Sequence, residues 1–223
     1  YKYTALTDQC SSMGYTPHVL IIGGGVLGTA IARDFAIRGL EVTLLEQGIL
    51  SAGTTGRMQG VLYSGAQFVA DDPAGARRCW RENQFLRRIA DHCIEETGGV
   101  ILPAEDQDVE AVVETCEQSG ISASQLSADQ LEHDYPAIAE EADDAIRTQD
   151  AVVDPFRLTL ANAESARNYG AEIKTKTRVV DFRDENGQLA GVEIEYVSST
   201  ETAGAPTGPL DWDIAGDDTE YSQ

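Results

Sequence analysis

Three glycines and one glutamate carry the clearest chemistry in this 223-residue chain. Gly23, Gly25 and Gly28 stand in the spacing G-x-G-x-x-G directly after the apolar run His18-Val-Leu-Ile-Ile22. Glycine at the first position permits a tight strand-to-helix turn, at the second lets backbone approach a pyrophosphate, and at the third lets a helix pack closely on a strand. A helix beginning near Val26, with Leu27 in its first turn, would turn its free N–H groups and its dipole toward the phosphates. Glu46 closes a second apolar run 18 residues after Gly28. A carboxylate there accepts hydrogen bonds from ribose hydroxyls and repels a 2′-phosphate. The glycine spacing by itself is weak evidence, but between a strand and a helix, with an acid ending the next strand, it is specific for a dinucleotide.

The following segment, GILSAGTTGRMQGVLYSGAQF from Gly48 to Phe68, has neither helical nor strand period. Small side chains over that length suit backbone laid against an extended ligand, and Ser51, Thr54 and Thr55 add hydroxyls. Composition alone also allows a surface loop with no ligand.

The elements that must position these residues can be read from periodicity. His18 to Ile22 reads as a strand buried on both faces. Val26 to Arg38 has apolar residues at helical spacing (Leu27, Ile31, Phe35), with Gly39 placed to end the helix, and Glu41 to Glu46 reads as a second buried strand. Together they make a βαβ unit. Pro73 to Thr97 predicts one long helix with the seam Cys79, Leu86, Ile89, Ala90 and Cys93, which would set Cys79 and Cys93 four turns apart on one face, too far to bridge. A strand at 100–102, helices at 109–118 and 128–134, and a helix opened by Pro155 follow. Strands at 172–174, 179–183 and 189–197 complete the pattern, the last two joined through Asn186-Gly187, a hairpin signal.

Composition narrows the functional classes. Sixteen basic residues against 38 acidic ones give a net charge of −22, which opposes binding to nucleic acid or to an anionic lipid surface. The acids are dispersed and only Lys2, Lys174 and Lys176 are lysines, a pattern that fits a high-salt cytoplasm. Cys10, Cys79, Cys93 and Cys116 form no C-x-x-C and His18, His92 and His133 stand apart, so a reducing compartment and no metal site are expected. No apolar stretch has the length of a membrane span and no segment reads as a signal peptide, which points to a cytoplasmic protein. Arg77, Arg78, Arg81, Arg87 and Arg88 crowd one helix; a solvated face paired with Glu82, Asp91 and Glu95 is the expectation, and a partner or phosphate contact the alternative. Residues 1–16 read as a flexible extension, left by processing of the chain or holding a natural start at Met13, and 198–223 as a disordered acidic tail.

GGGVLGTAIARDFAIRGLEVTLLEQ followed by SAGTTGRMQGVLYSGAQF resembles the FAD-dependent glycerol-3-phosphate dehydrogenases, nearest to the large catalytic chain of the anaerobic type, in the D-amino-acid-oxidase-like superfamily. The similarity continues through RENQFLRRIADHCIEETGG and AVVDPFRLTLANAESARNYGA to about Tyr196. The resemblance implies an α/β fold, with a Rossmann-like FAD domain over residues 17–99 and 150–197 and 100–149 inserted as the opening of a substrate-side region. It places the FAD pyrophosphate on Gly23, Gly25 and Gly28 and the ribose on Glu46, with Val26, Leu27 and Gln47 also among the cofactor-binding residues. Ser51, Gly53, Thr54, Thr55 and Gly60 would pass the cofactor toward its flavin ring, and the backbone of Val179 would touch adenine. The implied reaction takes a hydride from C2 of glycerol 3-phosphate to the flavin, gives dihydroxyacetone phosphate, and sends electrons to a quinone pool through partner subunits. Those partners would also be the means of holding the chain at the inner face of the membrane.

Relatives usually read G-R-x-H-G-L-L-H-S-G-A-R-Y where this chain has Gln59, Tyr63 and Gln67 in place of two histidines and an arginine. Tyr63 is the flavin-proximal candidate. The family's later flavin segments and most of its substrate domain have no counterpart before Gln223, so the resemblance implies the N-terminal part of the fold and no turnover by this chain alone. Two other readings stay open: a non-catalytic remnant or flavin-binding subunit, and an oxidoreductase acting on a 2-hydroxy acid or an amine.

Overall fold

A computed structural model describes residues 18–104, 107–140, 142, 144–185 and 187–197. The expected N-terminal extension, the acidic tail and Asn186 of the hairpin lie outside the described residues. In chain order the elements are β1 (His18–Ile22), α1 (Val26–Ile37), β2 (Glu41–Leu45), β3 (Val61–Leu62), α2 (Pro73–Ile89), β4 (Ile94–Glu95), β5 (Gly99–Ile101), α3 (Val109–Gln118), β6 (Ala123–Leu126), α4 (Ala128–Asp134), α5 (Pro136–Ala139), β7 (Ala145–Thr148), β8 (Ala151–Val153), α6 (Pro155–Asn168), β9 (Glu172–Lys174), β10 (Thr177–Glu185) and β11 (Gln188–Tyr196). They fall into two compact units, one made of residues up to Met58 and from Pro155 onward, the other of Gln59–Asp154.

The first unit is the predicted α/β layer. β1 pairs parallel with β2, and β2 parallel with β9, in the order β1-β2-β9. The β1-α1-β2 crossover gives the βαβ unit, and Gly39, at φ +79°, ends α1 in the left-handed conformation that glycine adopts without strain. The core joins Ile21, Val42 and Leu44 of the sheet to Ala32 and Ala36 of α1 and Ala166 of α6. The face that α1 buries is therefore Thr29, Ala32 and Ala36 rather than the predicted Leu27-Ile31-Phe35 seam; Leu27 is 72% exposed. Small residues win because α1 packs on both the sheet and α6, and alanine lets the backbones approach. The double-sided burial expected of β1 also fails: Ile21 is buried but Leu20 and Ile22 are exposed. β10 and β11 pair antiparallel through the predicted hairpin, with an irregularity just after Val179.

The second unit is built from short antiparallel strands in two sheets, β3-β8-β4 and β5-β7-β6. Its main core sets Val69 and Ala76 against Val109, Val112 and Cys116 of α3 and Ile146 of β7. A smaller cluster joins Leu126, Leu131 and Ala145. This unit is wider than the predicted 100–149 insertion, because β3 and β4 both pair with β8 and draw residues 59–99 into it. The predicted long helix stops at Ile89, not Thr97. Ala90 leaves the helical region, Asp91–Cys93 form a 3-10 turn, and Ile94 pairs with Val153, so Cys93 is buried off the helix rather than on a common face with Cys79.

Candidate functional site: a phosphate cradle on the first helix

The sequence folds into a cradle at the C-terminal end of β1 for a local reason. Gly23 takes φ +108°, which turns the chain sharply out of the strand, and its N–H donates to the Leu45 carbonyl at 2.8 Å. Two residues later Gly25 is the N-cap of α1, with no side chain closing the helix and no acid in the first turn. The first four N–H groups of a helix have no intrahelical acceptor. The Val26 N–H is taken by Thr55 Oγ1 at 3.1 Å. A Cβ on Gly28 would strike the Gly23 carbonyl oxygen, and one on Gly25 would come within 2.9 Å of Thr55 Oγ1. The spacing of the glycines is thus imposed by backbone and hydroxyl atoms that leave no room for a methyl.

Glu46 is held at the rim by two backbone donors. Its Oε2 accepts from Gly24 N–H at 2.6 Å and its Oε1 from Gly48 N–H at 2.7 Å. Each carboxylate oxygen keeps a further lone-pair direction for a ribose hydroxyl. The Glu46 backbone ties the cradle to the later strands, donating to the Lys174 carbonyl and accepting from Thr177 N–H, both at 2.8 Å. That link places β10, and with it Val179, beside the end of β2. Gln47 accepts from Arg178 Nε at 3.3 Å.

The loop after Glu46 returns to the cradle. Ser51 N–H donates to the Gly24 carbonyl at 3.0 Å, and the residue is held at φ +64°, a conformation non-glycine residues seldom adopt. Its hydroxyl is buried without a hydrogen-bond partner. A buried hydroxyl left without a partner costs on the order of 1–3 kcal/mol, so strain and an orphaned donor together mark a contact that a ligand would complete. The orphaned Ser51 hydroxyl and the methyl-excluding glycines fit the pyrophosphate and ribose of an FAD molecule. Gly53 and Thr54 are exposed, and Thr55 is buried.

Gly60 and Tyr63 belong to the second unit. Gly60, at φ +73°, accepts at its carbonyl from Val153 N–H of β8 at 2.7 Å. Tyr63 Oη donates to Gln59 Oε1 at 2.9 Å, so two of the positions that depart from the resemblance are paired with one another. The Tyr63 ring lies edge-on to Phe68 at 6.2 Å, and its carbonyl accepts from the buried Asn83 Nδ2 at 3.1 Å. Sequence reasoning missed Asn83, as well as Gly24, where a Cβ would meet Glu46 and Leu50 within 2.9 Å, and Arg57, which donates to the Ala52 and Gly53 carbonyls and braces the loop. The middle glycine of the Gly23-Gly24-Gly25 run was the available signal for Gly24. Among the described residues no group of acids, cysteines and histidines is placed to hold a metal ion, and no helix is long and apolar enough to cross a membrane.

The chain is 47% identical over 191 residues to the A1 chain of the anaerobic glycerol-3-phosphate dehydrogenase of Haloferax volcanii, covering 84% of this chain and 33% of that protein. It is 42% identical over 187 residues to the corresponding chain of the anaerobic glycerol-3-phosphate dehydrogenase of Escherichia coli K12, covering 82% of this chain and 34% of the relative. The chain thus spans about a third of the curated relatives it matches. Among solved structures, the L-proline dehydrogenase of P. horikoshii superposes with a TM-score of 0.69 at 27% identity, over 81% of this chain and 49% of that one. Residues 18–207 match the family described as FAD dependent oxidoreductase, and the chain belongs to that family.

Proposed function

We propose that this chain forms the FAD-binding part of an enzyme that oxidises sn-glycerol 3-phosphate to dihydroxyacetone phosphate and passes electrons through partner subunits to a quinone. The observation that carries the substrate assignment is the 47% identity to a chain of a glycerol-3-phosphate dehydrogenase, which far exceeds the 27% to the proline dehydrogenase of similar fold. Bound FAD supplies the hydride acceptor. The chain's own residues hold it: the N–H groups of Gly25, Leu27 and Gly28 face the pyrophosphate, Glu46 accepts from ribose hydroxyls, Ser51 donates its orphaned hydroxyl, and the Val179 backbone meets adenine. Glu46 also sets the cofactor choice, because its charge at the ribose repels a 2′-phosphate. The relatives are named as lettered subunits, which supports an assembly with partners, and any membrane attachment would run through those partners.

The chain spans about a third of its glycerol-3-phosphate dehydrogenase relatives, so these residues alone are expected to hold FAD without turnover. Two measurements test the proposal. The purified chain, titrated with FAD in molar salt, should become yellow and retain flavin absorbance through gel filtration; a colourless folded chain would remove the cofactor assignment. The tagged chain recovered from its host with its assembled subunits should reduce a dye with sn-glycerol 3-phosphate and not with L-proline or glycine. Reduction by an amine instead would move the substrate class to that of the structural neighbours.

A further inference from the structure

Arg77, Arg78, Arg81 and Arg88 of α2 lie on an exposed face, as expected, but the arginines pair with carboxylates only in part. Arg87 is in ion-pair contact with Glu96 and also donates to Asn83 Oδ1 at 2.6 Å, and Arg78 lies 3.5 Å from Asp72. Arg77, Arg81 and Arg88 have no carboxylate within ion-pair distance among the described residues, and the expected partners Glu82, Asp91 and Glu95 hold none of them. Arg77 reaches the Ser119 hydroxyl at 3.5 Å. Elsewhere in the molecule Arg38, Arg147 and Arg178 each lie within 3.8 Å of an acid, while Arg33, Arg57 and Arg167 donate to a hydroxyl or to backbone carbonyls, so what sets α2 apart is that its carboxylate-free arginines are gathered on one helix. In a chain with 38 acidic residues and 16 basic ones, a cluster of guanidinium groups standing clear of carboxylates calls for an explanation.

Their placement is ordered. At about 100° and 1.5 Å per residue, positions 77, 81, 85 and 88 fall within roughly 80° of helix circumference along about 16 Å. The stripe holds three arginines and the half-exposed Phe85, whose ring lies 5.9 Å from the Arg88 guanidinium carbon. At its N-terminal end a concavity of about 420 Å³ opens beside Trp80, between Arg77 and Arg81 and the end of α3 at Ser119 and Gly120.

We infer that this face of α2 docks a carboxylate-rich segment of a partner protein, which seats one apolar side chain against Trp80. Arginine forks bind carboxylates bidentately, and arginine beside tryptophan is the composition of energetic centres in protein interfaces. A net charge of −22 repels an extended polyanion such as nucleic acid or an anionic membrane, whose charge reaches across the whole surface. A short acidic segment senses the local field within a screening length of about 8–10 Å and meets the positive stripe first.

The test is fluorescence anisotropy with a short fluorescein-labelled peptide of alternating Asp and Glu around one central Phe, titrated with the whole 223-residue chain. Saturable binding that weakens with added salt is expected. Replacing Arg77, Arg81 and Arg88 together by Gln should weaken it about tenfold, as should Arg81→Glu alone, whereas Arg38→Gln should leave it unchanged. Replacing the peptide's Phe by Ala should weaken binding further, with circular dichroism confirming that each variant is folded. No binding, or equal binding by the folded arginine variants, overturns the inference. Tighter binding to an oligonucleotide of equal charge, or to phosphatidylglycerol vesicles, overturns it as well.

Discussion

The first unit joins parallel strands through helices that bury alanine and threonine, and its proposed ligand groups are backbone N–H donors, the Ser51 hydroxyl and one carboxylate. The second joins strands of two to four residues, antiparallel, and fixes its backbone with polar side chains: the buried Asn83 donates to the Leu62 and Tyr63 carbonyls, and the half-buried Asp150 accepts from Ser64 N–H at 2.5 Å. The difference is one of tolerance. A site made of backbone fails when a side chain is added; a sheet stapled by side chains fails when one is removed.

The largest effect expected from that contrast is Gly28→Ala. The added methyl meets the Gly23 carbonyl oxygen, an atom of the very turn that shapes the cradle, so the helix must move off the strand. Forced overpacking of this kind costs about 1–3 kcal/mol or more, and FAD retention should be lost even where the chain stays folded. Urea denaturation and flavin absorbance read the two consequences separately. A Gly28→Ala chain that holds FAD as the parent does would show the cradle to be looser than its geometry.

Next comes Asn83→Ala in the second unit. Asn83 is 1% exposed and uses both halves of its amide, donating to two carbonyls of the β3 region and accepting from Arg87 Nε. Removing it takes the amide donor from the Leu62 carbonyl and leaves the Tyr63 carbonyl with the weak Cys79 thiol, at about 1–3 kcal/mol. Hydrogen exchange should rise around Val61–Ser64 and β8, and stay unchanged in β1 and β2. Uniform loosening across both units would break the contrast drawn between them.

The same contrast explains what the sequence could and could not disclose. The βαβ unit was legible because its signals are local: the β-branched run, the glycine turn, the cap at Gly39 and the acid at Glu46 follow one another within about thirty residues. The burial of α1 was misread because the Leu27-Ile31-Phe35 spacing is a true helical period, yet close packing on α6 selects small side chains. β3, β4, β7 and β8 were not legible at all. Val61 pairs with Val152, far away along the chain, and two-residue strands leave no alternation to detect. The same non-local pairing of Ile94 with Val153 cut short a helix that periodicity alone would have extended. Within the candidate site, the turn that Gly23, Gly25 and Gly28 shape and the place of Glu46 at its rim could be read from spacing. Asn83 and Arg57 could not, since a side chain that staples distant backbone has no pattern of its own.

A smaller effect tests the one charged group of the backbone-built site. Glu46→Gln keeps the volume but turns one acceptor toward Gly24 or Gly48 into an N–H₂ donor, so one of two charge-assisted bonds becomes a clash of donors. About 1–2 kcal/mol of stability should go, FAD should bind about tenfold more weakly, and discrimination against a 2′-phosphate should relax. Unaltered FAD affinity would remove Glu46 from the ribose site while leaving its role in the turn intact.

The smallest expected effect is a pH dependence confined to the second unit. Burial pushes the Cys79 thiol above its usual range, helped by the negative charge of Asp150, and burial alone does the same to Cys116. Below the usual thiol range both groups are protonated in the folded and unfolded chains, so their contribution is fully present. As pH rises through that range the unfolded chain releases its thiol protons first, the folded chain holds more protons, and stability falls. Urea midpoints should therefore drop between about pH 8 and about pH 10, near where thiols ionise. Other groups also titrate there, so the decisive comparison is with the Cys79→Ala, Cys116→Ala double variant, whose midpoint should fall less steeply. An equal slope in the variant would assign the alkaline loss to groups outside the second core, and the first unit would then share a weakness that its backbone-made site gives no reason to expect.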